Sequence, residues 1–179
     1  SAAMFESSAT VSWNPVNGAT QAERSEGYRL LLSTSALLYP LLSTWQTASA
    51  AASETALTPL DLNTTYYYKV GTLNIGGTQN FGDTTLYFTT LASKLQNLAR
   101  LSFTDGAGTL GWTALPPYPV PATAVGYRLE ASTSPVFSPG AVQHSSTSYG
   151  VALSTLTITT LDANTTYYFK IRGVDALGN

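Results

Sequence analysis

The sequence predicts an all-β chain built as two tandem sandwich modules. Three observations carry this expectation: a duplication of domain length, short alternating runs bounded by turn residues, and the weakness of any helical period. The duplication comes first. Trp13 and Trp112 each stand 15 residues ahead of a tyrosine, Tyr28 and Tyr127. Those tyrosines lie in Gly27-Tyr28-Arg29-Leu30 and Gly126-Tyr127-Arg128-Leu129, and each block runs on into Ser-Thr-Ser. Further on, Leu60-Asp61-Leu62-Asn63-Thr64-Thr65-Tyr66-Tyr67-Tyr68-Lys69-Val70 matches Leu161-Asp162-Ala163-Asn164-Thr165-Thr166-Tyr167-Tyr168-Phe169-Lys170-Ile171. The offset is 99 residues at the tryptophans and 101 at the second block, so the repeat is a domain and not a solenoid turn.

Within each copy the elements read as strands. Val11 to Trp13 and Leu110 to Trp112 alternate in period 2, and Tyr28 to Leu32 and Tyr127 to Ala131 are β-rich runs bounded by Gly and Ser. Tyr66 to Leu73 and Tyr167 to Val174 are rich in aromatic and β-branched residues, which suit a pleated surface. Asn14-Pro15, Asn17-Gly18, Gly76-Gly77 and Pro116-Pro117 punctuate the gaps. The alanine-rich stretch Ala48 to Ala56 is expected to be a loop. The domains are expected at 1–92 and 93–179, joined near Ala92-Ser93-Lys94 without a flexible Gly/Ser run.

In these residues the chain resembles the fibronectin type III family. That family carries a tryptophan on strand B (here Trp13 and Trp112) and a tyrosine on strand C (Tyr28 and Tyr127). It also carries a leucine six residues before the tyrosine that opens strand F, here Leu60 with Tyr66 and Leu161 with Tyr167. The resemblance covers almost the whole chain and is of the kind seen in bacterial secreted and surface repeat proteins. It implies two immunoglobulin-like sandwiches whose cores include these eight residues. It also implies a tyrosine corner, in which the strand-F hydroxyl bonds back to the preceding turn. Asn63 and Asn164 stand where a left-handed turn residue is needed, and asparagine tolerates that conformation. Alternation then points Tyr66, Tyr68, Val70 and Thr72 inward, with Tyr67, Lys69 and Leu73 outward. In the second copy Tyr167, Phe169, Ile171 and Gly173 point in, and Tyr168, Lys170, Arg172 and Val174 point out.

Composition narrows the function. Cysteine is absent, which excludes disulfides and cysteine-ligated zinc. Charged residues are 10% of the chain against an average near ~25%, and the formal net charge is −2. No basic cluster suggests nucleic acid or an anionic membrane, and no apolar run approaches the roughly 20 residues of a membrane span. A surface solvated by Ser and Thr is familiar in secreted and cell-surface β-proteins. The opening Ser1-Ala2-Ala3-Met4 reads as a remnant, and the chain as part of something longer.

No catalytic set emerges, and neither a metal nor a cofactor is expected. The single histidine, His144, sits among serines and reads as a solvated loop residue rather than part of a Ser-His-Asp set. The ten acidic residues are dispersed, without a calcium-loop pattern. Asp61 and Asp162 read as turn residues, and Lys69 and Lys170 as outward lysines. Asn63 and Asn164 are formal glycan acceptors, relevant only in a eukaryotic host.

Binding candidates are aromatic. Leu37-Leu38-Tyr39-Pro40-Leu41-Leu42 with Trp45 follows strand C of the first copy, and Pro135-Val136-Phe137-Ser138-Pro139 stands there in the second. These segments either cover the sandwich edge or present a patch to a protein or polysaccharide. Leu38, Tyr39, Trp45, Phe137 and the outward Tyr67 and Tyr168 form the candidate partner surface. The leading functional expectation is a non-catalytic spacer and adhesive pair of an extracellular or cell-surface protein. The alternative is an accessory spacer or carbohydrate-binding segment of a secreted polysaccharide-degrading enzyme. Thr84 to Thr90 is expected to be strand G of the first copy. Gly178 aligns with Gly77, so the second copy is expected to lack strand G. Its edge, Tyr167 to Val174, is then expected to pair with a strand from a neighbouring chain or from residues beyond the sequence.

Overall fold

The structure is a computed structural model and describes residues 1–20, 23–117, 123–138, 140–175 and 177–178. Pro139, part of one candidate segment, lies outside the described residues. Every helix or strand element among them is a strand. The chain divides into two units, Ser1–Leu91 and Ala92–Asn179, one residue earlier than the expected boundary.

The first unit contains β1 (Ala2–Met4), β2 (Ala9–Ser12), β3 (Gly27–Ser33) and β4 (Ser43–Thr47), then β5 (Glu54–Leu57), β6 (Thr65–Leu73), β7 (Gln79–Phe81) and β8 (Leu86–Thr89). One sheet has the order β1-β2-β5. The other runs β4-β3-β6-β7, with β8 also paired to β6. All pairings are antiparallel. Ala9, Val11 and Leu57 from the first sheet meet Leu30, Leu32, Tyr66, Tyr68 and Phe88 from the second in one core. This is a fibronectin type III-like sandwich, and it follows from placing apolar side chains at every second position of strands in both sheets. The opening residues are structural: Ala2 to Met4 pair with Val11 to Ala9.

The second unit contains β9 (Gln96–Thr104), β10 (Ala107–Thr113), β11 (Gly126–Ser132), β12 (His144–Tyr149), β13 (Thr155–Thr159) and β14 (Tyr168–Val174). Its sheets are β13-β10-β9 and β12-β11-β14. The core falls into two clusters, one around Leu110, Leu129 and Ile158, the other around Trp112, Leu115 and Tyr127. Among the described residues β14 pairs with β11 alone.

The repeated Gly-Tyr-Arg-Leu block has a steric origin. A Cβ on Gly27 would lie 2.1 Å from the Thr47 carbonyl oxygen, and one on Gly126 would lie 2.2 Å from that of Ser148. The adjacent strand therefore approaches closely only because the residue before each tyrosine has no side chain. Tyr28 and Tyr127 are fully buried, and their hydroxyls are doubly used. Tyr28 Oη accepts from Val16 N at 2.7 Å and donates to the Ala50 carbonyl at 3.3 Å. Tyr127 Oη accepts from Leu115 N at 2.8 Å and donates to Val151 O at 2.6 Å.

The tyrosine corner forms in both units. Tyr66 Oη accepts from Asp61 N at 2.8 Å, and Tyr167 Oη accepts from Asp162 N at 3.2 Å while donating to Asp162 Oδ2 at 3.1 Å. Asn63 and Asn164 take φ of 47° and 54°, in the left-handed region. The core expected at eight positions is unevenly buried. Tyr28, Leu60, Tyr66, Trp112 and Tyr127 are buried, whereas Trp13, Leu161 and Tyr167 are half-buried. Trp13 stands just beyond β2, with its ring 5.4 Å from Tyr28 and 5.8 Å from Trp45. Trp112 lies within β10, 4.8 Å from Tyr127.

Four expectations need correction. Leu73 and Val174, assigned outward by alternation, are buried. Glu26 N and Val125 N bond their carbonyls at 2.9 and 2.8 Å, so the segment leading into β3 or β11 closes over that end of the strand. Residues Glu54 to Ala56 of the alanine-rich stretch are not loop but belong to β5, where Ala56 pairs with Thr10. Strand G of the first unit is two pieces, β7 and β8, and Lys69 Nζ reaches the Asp83 carbonyl between them at 3.0 Å. His144 is not on a loop. It lies on β12, half-buried, with its ring edge-on to Tyr167 at 5.7 Å and its Nδ1 3.3 Å from Thr160 Oγ1.

Truncating Trp112 to alanine is expected to remove about 3–5 kcal/mol from the second unit, with a smaller loss for Trp13→Ala in the first because Trp13 is less buried. Thermal unfolding of the full chain, resolved by unit-specific NMR signals, measures both; equal losses contradict the burial difference.

Burial pushes the Tyr66 hydroxyl above its ordinary value; the Asp61 amide bond opposes this and the Asp61 charge adds to it. Burial alone raises Tyr68. The unfolded chain therefore releases these protons first, so the first unit loses stability as pH rises above about 10. Tyr68→Phe should blunt that alkaline decline while leaving neutral stability nearly intact. Tyr66→Phe also loses the corner and should lower stability at every pH. A pH–denaturant surface for the two variants decides it; identical neutral stabilities for both count against the corner.

Candidate functional site

The exposed loop of the first unit follows β3. Its base is tied by the Ser33 hydroxyl, which donates to Pro40 O at 2.7 Å and accepts from Ser35 N at 3.0 Å, and by Leu42 N to Leu32 O at 2.9 Å. On that base Leu37 and Tyr39 are 88% and 81% exposed, with Leu41 and Leu42 also outside. Leu38 is half-buried at φ 54°, a left-handed conformation that a branched side chain adopts at a cost. The loop thus does not fold down over the sandwich. Trp45 separates from it: on β4 it turns inward onto Trp13 and packs against the core.

The corresponding loop of the second unit exposes Val136, while Phe137 is half-buried with Lys170 Nζ 5.8 Å from its ring centre. Tyr67 is half-buried and its ring lies 6.0 Å from Tyr87 of β8. Tyr168 is 44% exposed on β14. The six candidate surface residues therefore do not converge. Tyr39 and Tyr168 are exposed in different units, and Trp45 is half-buried against the first unit's core.

Sequence reasoning missed an ionic cluster on the outer face of β11 and β14. Arg128 and Arg172 stand directly opposite each other in register, a repulsive pairing. Glu130, nearly buried, lies 2.8 Å from Arg128 Nε and 3.7 Å from Arg172 Nη2 and offsets it. The first unit has Arg29, Leu31 and Gly71 at these positions. Among the described residues no three His, Cys, Asp or Glu side chains stand together as a metal site would require. Among the described residues no helix is long and apolar enough to cross a membrane.

A concave surface in the second unit lies beside the turn that precedes β14. A cleft of about 740 Å³ is lined by Arg100 and Phe103 of β9, Leu110, the turn 161–166, and Tyr167 to Phe169. Phe103 meets Phe169 edge-on at 5.4 Å, and the Arg100 guanidinium lies 4.7 Å over Phe103. In the first unit the same place is filled by β8. Phe88 stacks on Tyr66 at 5.6 Å and touches Tyr68 at 5.8 Å. Thr90 then locks the turn. Its hydroxyl donates to Asp61 O and accepts from Thr64 N at 3.0 Å, and its amide donates to Thr64 O at 3.0 Å. Tyr66 and Asn63 are buried beneath β8 and Thr90, whereas Tyr167 is half-exposed and Asn164 exposed. Sequence reasoning placed Thr90 only at the end of the expected strand G, Thr84 to Thr90, and gave its hydroxyl no role.

No family model matches the chain, and no curated protein matches it. Among solved structures it is similar to a two-domain fibronectin type III segment of chicken tenascin, with TM-score 0.45 and 16% identity over 96% of this chain and 86% of that one. It is also similar to the FN1–FN3 domains of chicken CNTN1, with TM-score 0.43 and 14% identity, covering 98% of this chain and 59% of that one.

Replacing Thr90 with valine keeps its shape and removes the hydroxyl lock. The first unit should lose about 1–3 kcal/mol, and hydrogen exchange should quicken at Thr64 first. A variant with unchanged exchange at that amide would show that the lock contributes nothing.

Proposed function

We propose that this chain is a non-catalytic spacer and docking segment of a larger extracellular or cell-surface protein. The observation that carries the reading is architectural: two sandwiches in tandem, each enclosing its own core of residues from both of its sheets. Such a pair holds other parts of a protein apart and presents edges and loops to partners. Two surfaces suit docking. One is the serine-tied loop that holds Leu37 and Tyr39 in solvent, chemistry suited to an apolar or aromatic-binding protein or polysaccharide partner. The other is the edge Tyr167 to Val174, where among the described residues β14 pairs with β11 alone, an arrangement suited to strand addition.

Exchanging the chain for an unrelated sandwich pair in its host protein should preserve a purely spacing role. Leu37→Ser with Tyr39→Ser should leave both unfolding transitions in place and reduce attachment of the host to its partner. Unchanged attachment would remove the loop from the reading. Turnover of an ester or glycan by the purified chain, abolished by one side-chain substitution, would overturn the non-catalytic assignment.

A further inference from the structure

The two units differ on the side of the sandwich where the end strand of one sheet faces the end strand of the other. In the second unit β12 and β13 come together there. His144, at the start of β12, joins them. Its ring stands edge-on to Tyr167 at 5.7 Å, and its Nδ1 lies 3.3 Å from Oγ1 of Thr160, the residue after β13. In the first unit β4 and β5 stand apart and leave a groove of about 420 Å³. The strand registers identify the group that fills the matching place. Leu32 pairs with Ser43 on β4 as Ala131 pairs with His144 on β12, so Ser43 holds the position of His144. Leu60 and Tyr66, the counterparts of Leu161 and Tyr167, line the groove beside Ser43. The indole nearby is otherwise engaged: Trp45 holds the position of Ser146, and its ring turns onto Trp13.

The walls suit a flat ring with nitrogen at its rim. Leu42, Trp45, Leu57 and Leu60 supply apolar surface, and the Ser43 and Thr58 hydroxyls supply hydrogen-bonding groups. Among the described residues that line the groove Asp61 alone is charged, and a carboxylate favours an incoming N–H donor or cation. The volume falls in the range of about 300–1,000 Å³ typical of ligand sites and exceeds that of one ring, so it also admits the chain that carries the ring. Leu42, 55% exposed, joins the groove to the exposed loop of Leu37 and Tyr39. We propose that the groove between β4 and β5 binds a partner polypeptide that inserts one histidine ring against Tyr66, in the place that His144 fills in the second unit. A short stretch of the partner lies between the two strands and meets the loop at its Leu42 end. This rests on the docking part of the proposed function and names the side chain that the partner brings. Apolar contact supplies affinity that any ring could use; the hydroxyls and Asp61 select the one with nitrogen.

The test uses the full chain and the blocked tripeptide acetyl-Ala-His-Ala-amide, followed by NMR. Expected are saturable shifts at Ser43, Thr44, Thr58, Leu60 and Asp61, and contacts from the imidazole protons to the Tyr66 ring. No shift is expected at Thr155 to Leu161, where His144 already stands. The Ala-Ser-Ala peptide should bind at least about tenfold more weakly. Ser43→His should fill the groove from within, raise the unfolding midpoint of the first unit and abolish the peptide shifts. Equal binding by the two peptides, or undiminished binding by folded Ser43→His, overturns the proposal. Should Ser43→His unfold the first unit, the comparison of the two peptides on the unaltered chain decides alone. Shifts at the groove with cellobiose and none with the histidine peptide also overturn it and give the groove to a polysaccharide. Leu37→Ser with Tyr39→Ser should leave the peptide shifts in place; their loss gives the peptide to the loop and overturns the groove. No shift with either peptide overturns the groove and leaves the loop's part in attachment standing.

Discussion

Everything in each unit depends on how a tyrosine is buried. The ring brings a large apolar area into the core, but its hydroxyl must find partners there or forfeit the gain. Each unit solves this twice. The strand-C tyrosine bridges a loop that leaves the opposite sheet, through Val16 or Leu115, and a loop that crosses from its own sheet to the opposite one, through Ala50 or Val151. The strand-F tyrosine ties the turn that precedes it. The first bridge connects segments distant in sequence and the second is local, so the same side chains that fill the core also fix where the loops begin. The loops are then available as surfaces without carrying the stability of the fold.

The duplication works as an internal comparison. Position by position the strand-F turns are alike in internal geometry. Phe88 and Thr90 cover Tyr66, Tyr68 and Asn63 in the first unit. In the second unit the aromatic pair is instead Phe103 with Phe169, contributed by β9 on the other sheet. That contact leaves a cleft and does not reach the turn. The two-part core of the second unit and the single core of the first fit this difference.

Much of the fold was legible because the duplication aligned the residues that matter. Glycine before tyrosine, the leucine–tyrosine spacing and the turn asparagine each have a local steric or hydrogen-bonding reason that survives without knowledge of the rest. What failed was what tertiary contact decides. Alternation placed Leu73 and Val174 outward, but the incoming segment covers that strand end. His144 looked solvated among serines, yet those serines alternate along β12 and the ring faces Tyr167. The apolar run from Leu37 to Trp45 looked like one patch. The chain instead divides it, with Trp45 assigned to the core by its place on β4 and Leu37 and Tyr39 left outside by the serine ties at the loop base. The Arg128–Glu130–Arg172 cluster was invisible because its members are brought together only by strand pairing.

Low charge leaves the sheet surfaces to hydroxyl side chains. β-Proteins commonly guard edges with lysine, proline or bulges, and this chain has few charges to spend on that purpose. Its sheets are solvated instead by hydroxyl pairs across strands, such as Thr65 with Thr89 and Thr109 with Thr157, each at 2.8 Å. Hydroxyl pairs stabilise a ladder but do not repel an incoming strand. Lys170 and Arg172 do lie on β14, yet Lys170 sits by Phe137 and Arg172 is drawn to Glu130, so both charges are engaged on the sheet face.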